Sequence, residues 1–133
     1  MQVEVQSRSV KKRKFAAALI PSLLEQLGLN NSRKSVLVSI VGDCNDAGIT
    51  VRVTDDLYMV IINMQQNMKD IGLTLAHEFV HVKQMARGQL KTARGRVRWA
   101  GKPVKAGLDY LSQPWEVEAF SRQELLLRRA LNT

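Results

Sequence analysis

His77-Glu78-Phe79-Val80-His81 places two imidazoles four residues apart, with a carboxylate directly after the first. On a helix, residues four apart lie one turn apart on one face, so the two rings can converge on a single ion. Glu78 projects beside that face, within reach of a water held by such an ion. Two nitrogen ligands with an adjacent base form the pattern of hydrolytic zinc sites. The chain contains no other His. A catalytic Zn2+ takes three protein ligands and leaves one position for water, so the third ligand has to be a carboxylate or Cys44. Cys44 falls between two predicted strands. Glu116 and Glu118 open the last predicted helix, and a helix packed across the His helix can bring one of these carboxylates to the metal.

The elements that must position these groups follow from hydrophobic spacing. Residues 1–9 read as irregular or weakly extended. Phe15, Leu19, Ile20, Leu23, Leu24 and Leu27 form an apolar stripe that predicts a helix from about Val10 to Leu27. Ser9 is its expected cap, Gly28 its stop, and Pro21 an expected kink or break. Three strands follow, at residues 35–41, 49–53 and 57–63. The last is almost wholly apolar, which predicts cover on both faces or by a helix. Asp43, Cys44 and Asp46 lie in a turn-rich cluster between the first two strands, and turn chemistry accounts for them.

The His helix is expected to start at Asn67 or Asp70 and run to about Arg87, with Gly88 beyond it. Met68, Ile71, Leu75, Phe79, Val82 and Ala86 form its core stripe, roughly opposite the His pair. Residues 88–113 read as a long connection with a short hairpin around Arg96–Trp99. Pro114 opens the final helix, roughly 114–131, with Trp115, Ala119, Leu126 and Leu127 as its buried residues. The expected fold is therefore α+β. It has an N-terminal helix, a small, mostly antiparallel three-stranded sheet, a central HExxH helix, a basic loop and a C-terminal ligand-bearing helix, all in one domain over 1–133.

The 133 residues carry a net charge of +8, with a pI near 10.1. From Phe79 to Leu108 there are eight Lys or Arg and no Asp or Glu. Such a run suits either solvated surface or an acidic partner, and residues 83–105 are the expected contact for nucleic acid. Trp99 within that run offers a ring for base stacking. No apolar run approaches a membrane span or a secretory leader, so no membrane association is expected. One cysteine excludes an internal disulfide and fits a reducing, cytoplasmic setting.

His-Glu-Phe-Val-His, followed thirty-five residues after His81 by Glu116-Val117-Glu118-Ala119, resembles the gluzincin zinc metallopeptidases. The nearest pattern is that of their small one-domain phage and bacterial members, which relate to SprT-like and repressor-cleaving proteases. The resemblance implies Zn2+ on His77, His81 and Glu116, with Glu118-Ala119 belonging to the ligand helix. It also implies a peptide or protein substrate bound along an edge strand. Where relatives carry an Asp or Asn to support a ligand, this chain has Phe120. On this view Glu78 takes a proton from water and passes it to the leaving amine. Tyr110 and Arg98 are the candidates for steadying the carbonyl oxygen.

Overall fold

The computed structural model describes residues 1–42 and 44–133. Asp43, one of the turn residues considered above, lies outside the described residues. The chain runs β1 (Gln2–Ser7), α1 (Val10–Gln26), β2 (Ser35–Val41), β3 (Gly48–Thr54), β4 (Leu57–Asn63) and α2 (Met68–Ala86). It continues through β5 (Leu90–Ala93), β6 (Arg96–Trp99), β7 (Lys102–Pro103), a 3-10 turn at Tyr110–Ser112, and α3 (Pro114–Leu131). The architecture is α+β, with three helices, a four-stranded mixed sheet and a small three-stranded antiparallel sheet. No helix among the described residues is long and apolar enough to cross a membrane.

The main sheet differs from the expected three-stranded, mostly antiparallel one. Its order is β1-β2-β4-β3, with β1–β2 and β2–β4 parallel and only β3–β4 antiparallel. The extra strand is the segment read as irregular. Its Val3 and Val5 face the core while Gln2, Glu4 and Gln6 are exposed. The α1 crossover returns the chain alongside β1, so these two strands must run parallel. The excursion through β3 then lets β4 enter between β2 and β3, and β3 is left as an edge strand.

Helix α1 passes through Pro21 without dividing. Pro21 and Ala17, whose carbonyl loses its helical donor, are both exposed, so water can serve that carbonyl. The Ser9 side chain accepts from the Lys12 amide at 3.2 Å and caps the start. Leu19, Ile20, Leu23 and Leu24 pack the helix onto the inner face of the sheet, formed by Val36, Val38, Ile40, Tyr58, Val60 and Ile62. Among the described residues, no helix packs over the outer face of the sheet. Strand β4 alternates between half-buried and buried residues, so its apolar run is covered on one face only, not on both.

Helix α2 fills the space between sheet, α1 and α3. Asn67, not Asp70, caps it by accepting from the Asp70 amide at 2.8 Å. Every residue from Leu75 to Gln84 is buried, Lys83 and Gln84 included. The helix is therefore central, with its His77–His81 side facing a cleft. The expected 88–113 loop carries its own small sheet, order β5-β6-β7. Its two turns have Arg94-Gly95 and Ala100-Gly101 at positive φ, as tight two-residue hairpins require.

Candidate metal centre

The i, i+4 spacing on α2 and the first turn of α3 meet at one point. His77 Nε2 lies 2.8 Å from Glu116 Oε1, and His81 Nε2 lies 3.2 Å from the same oxygen. All three side chains are buried, at 5%, 7% and 7% exposure for His77, His81 and Glu116. Pro114 is the first residue of α3, which sets Glu116 in its first turn, where the helix dipole favours a negative charge. The two rings meet edge to face, with centroids 4.9 Å apart.

The far nitrogens are engaged as well. His77 Nδ1 is 2.8 Å from Gln123 Oε1, and His81 Nδ1 is 2.8 Å from Gln84 Oε1. An amide oxygen only accepts, so each Nδ1 donates. That leaves two ring nitrogens and a carboxylate oxygen aimed into one small volume. Only a positive species there, a proton or a metal ion, satisfies all three. The donor set of two imidazoles and a carboxylate suits a divalent ion such as zinc.

Glu78 stands beside this point without sharing it. Its carboxylate and the two imidazoles have donor atoms within 4.8 Å of one another, a group able to hold an ion. It is held from the other side, however, by the Thr50 hydroxyl at 2.8 Å. Thr50 comes from β3, the edge strand, whose inner face turns toward α2. Burial is the main influence on Glu78 and pushes its carboxyl above the usual carboxylate range, partly offset by the neighbouring His81, the Thr50 hydrogen bond and His77. Burial alone would push Glu116 up too, but hydrogen bonds from both His residues and their charge hold it at about 2.

A cleft of about 990 Å³ opens over these groups, lined by β3 on one side and by Thr92, Tyr110, Trp115 and Phe120 on the other. Phe120 packs against His77 with ring centroids 4.5 Å apart, and Tyr110 packs against Phe120 at 6.0 Å. Tyr110 is 55% exposed as a residue. Partial burial and the neighbouring Glu116 and Glu78 carboxylates push its phenol up to about 12. Arg98, the other oxyanion candidate, is not among the residues lining the cleft. It lies opposite Lys91 on the small sheet and hydrogen-bonds the Gly101 carbonyl at 3.3 Å.

The two glutamates of the α3 motif do different things. Glu118 makes no hydrogen bond to either imidazole among the described residues. Its oxygens accept from Gln84 Nε2 at 2.8 Å, Lys83 Nζ at 2.6 Å and Arg122 at 3.3 Å. Burial would raise its pKa, but these hydrogen bonds and the Lys83 charge lower it. Cys44 bonds the Asp46 carbonyl at 3.2 Å and joins no group able to hold an ion among the described residues. Three residues escaped sequence reasoning: Gln84, Gln123 and Thr50. Gln84 had a positional signal, being three residues past His81 and so on the same face of the helix. Phe120 stands where a supporting acid is expected, and the outer nitrogens of both rings meet glutamine amides instead. No family model matches the chain, and no curated protein or solved structure matches it either.

Proposed function

We propose that the chain is a zinc-dependent peptide hydrolase, with His77, His81 and Glu116 as ligands and Glu78 as general base. One observation carries this: a buried carboxylate stands beside a His-His-Glu donor set at the floor of an open cleft. A bound Zn2+ supplies polarisation of the scissile carbonyl and acidification of water. Glu78 accepts the proton of the attacking water and delivers it to the departing amine. Thr50 keeps the carboxylate turned toward the cleft. Tyr110, with its phenol protonated throughout the neutral range, donates to the carbonyl oxygen as charge builds there.

The substrate is an extended peptide. Strand β3 pairs with β4 along one side only, and Gly48–Arg52 line the cleft beside the two imidazoles. A peptide added to the open side satisfies that free backbone and brings one bond past Glu78. The purified chain should bind zinc at one equivalent and cleave an unfolded protein such as casein. Glu78→Gln should keep the zinc and lose cleavage by at least ~1000-fold, within the range for a lost general base. Cleavage unchanged in that variant, or no zinc in carefully prepared wild type, would falsify the assignment.

A second reading concerns location. Lys91 and Arg98 are directly opposite one another on the small sheet, and Arg96 shares their face. Like charges set opposite each other are unfavourable unless an anion compensates them. No Lys or Arg from Arg87 to Lys105 forms an ion pair among the described residues. This face fits a nucleic-acid backbone, which would deliver the hydrolase to DNA-bound proteins. Retention on DNA should then fall steeply with salt. Weak retention even at low salt rejects it.

A further inference from the structure

Gln84 is the one residue of α2 that is wholly buried, strongly polar and has no part in the chemistry proposed above. Its amide is saturated in one orientation. Oε1 faces His81 Nδ1 at 2.8 Å, while Nε2 donates to the Trp115 carbonyl at 3.0 Å and to Glu118 Oε1 at 2.8 Å. Turning the amide over would set its oxygen against two acceptors and its N–H against Nδ1–H. Lys83 and Arg122 in turn hold Glu118 in place. Gln123, the partner of His77, is only half-buried, and its amide makes no second hydrogen bond among the described residues.

We propose that Gln84, clamped by Glu118 and the Trp115 carbonyl, is a positioning residue that fixes His81 as the Nδ1–H tautomer and so reserves its Nε2 for the metal. The two imidazoles are thereby unequal. His81 is the preset ligand, and His77 adjusts to the ion through a looser amide. Glu118, which the sequence offers as a possible ligand, acts two hydrogen bonds away through Gln84. This rests on the zinc-binding reading of the centre. The amide also replaces the charged partner often found behind a ligand imidazole, so orientation is supplied without added negative charge.

The test uses the full chain with zinc. In proton NMR spectra of the zinc-loaded protein, His81 Nδ1–H should give a signal that exchanges slowly with solvent, and His77 Nδ1–H a faster one. Gln84→Met should abolish the slow signal and raise the zinc Kd, measured by chelator competition, by roughly 10- to 100-fold. Gln123→Met should remove only the fast signal and change Kd by a smaller factor. Equal exchange of the two protons in wild type overturns the proposal without any variant. So does a Gln84→Met protein that keeps wild-type Kd and the slow signal. Wild type that binds no zinc overturns the metal reading itself, which is a separate outcome.

Discussion

The Thr50 hydroxyl donates to the Glu78 carboxylate at 2.8 Å, with the main-chain carbonyl of Glu78 also close to it at 3.2 Å. An edge strand is thus tied to the buried carboxylate beside the two imidazoles. This contact lowers the Glu78 pKa against the dominant effect of burial. In Thr50→Val the pKa should rise further, and the acid limb of the kcat/KM profile should move to higher pH. A hydrogen bond to a charged group is worth about 1.5–3 kcal/mol. The neutral-pH rate should therefore fall roughly ten-fold, with zinc content unchanged. An acid limb that stays in place would remove Thr50 from this role.

Metal-free protein should lose stability as pH rises. Burial alone would pull His81 down, but hydrogen bonds to Glu116 and Gln84 and the nearby carboxylates raise its pKa above 6.5. A His raised on folding contributes stability that is complete below its unfolded pKa and lost as pH climbs through the folded one. Glu116 at about 2 contributes in the opposite sense, with stability lost only as pH falls toward that value. Zinc competes with protons for the same nitrogens, so its stabilising effect should grow with pH. Thermal melts from about pH 5 to 9, with chelator or with zinc, measure both trends. A flat chelator curve above neutrality contradicts the first.

Gly48 marks how closely β3 approaches α2. A methyl group there would stand 2.5 Å from Thr74 Cγ2, 3.2 Å from Glu78 Cγ and 3.3 Å from the Ile61 carbonyl oxygen. Gly48→Ala has to push strand and helix apart. It should cost about 1–3 kcal/mol in denaturant unfolding and reduce activity more than Gly95→Ala. The Gly95 site has open space around it, although its positive φ makes that change mildly strained as well. Equal activity in the two variants would argue against a tight seam.

The Lys83–Glu118 pair should respond asymmetrically. Lys83 is 7% exposed, whereas Glu118 also has Arg122. Glu118→Leu strands a buried ammonium and frees Gln84, and should cost about 3 kcal/mol. Lys83→Met removes that charge and leaves Glu118 with its second partner, so it should cost about 1 kcal/mol or less. Urea melts decide between this order and its reverse.

The helices were legible because their signals are local. Ser9, Asn67 and Gly88 are start and stop residues, and the His spacing and Pro114 fix which face and which end matter. The main sheet was not legible in the same way. QVEVQS becomes a strand only because β2 runs beside it, and nothing local in 35–63 says that β4 will enter between β2 and β3. The small sheet was half visible. Arg94 and Ala100 occupy positive-φ turn positions where Asn, Asp or Gly would have signalled a hairpin. At the centre, His and Glu announce themselves by chemistry, whereas Gln84, Gln123 and Thr50 are ordinary polar residues until their neighbours are known.

The open side of β3 has a consequence for selectivity. A peptide seated there must be extended over several residues, about 3.4 Å for each, with its own backbone groups free to pair. A folded protein offers such a stretch only where a terminus or loop comes loose, and the free energy of that opening adds to the barrier for cleavage. If the proposed peptide hydrolysis holds, discrimination at this cleft would be set as much by the local stability of the target as by its side chains. Stable proteins, this chain's own paired strands included, would be spared by their folding, and a damaged or partly unfolded neighbour would be cut first.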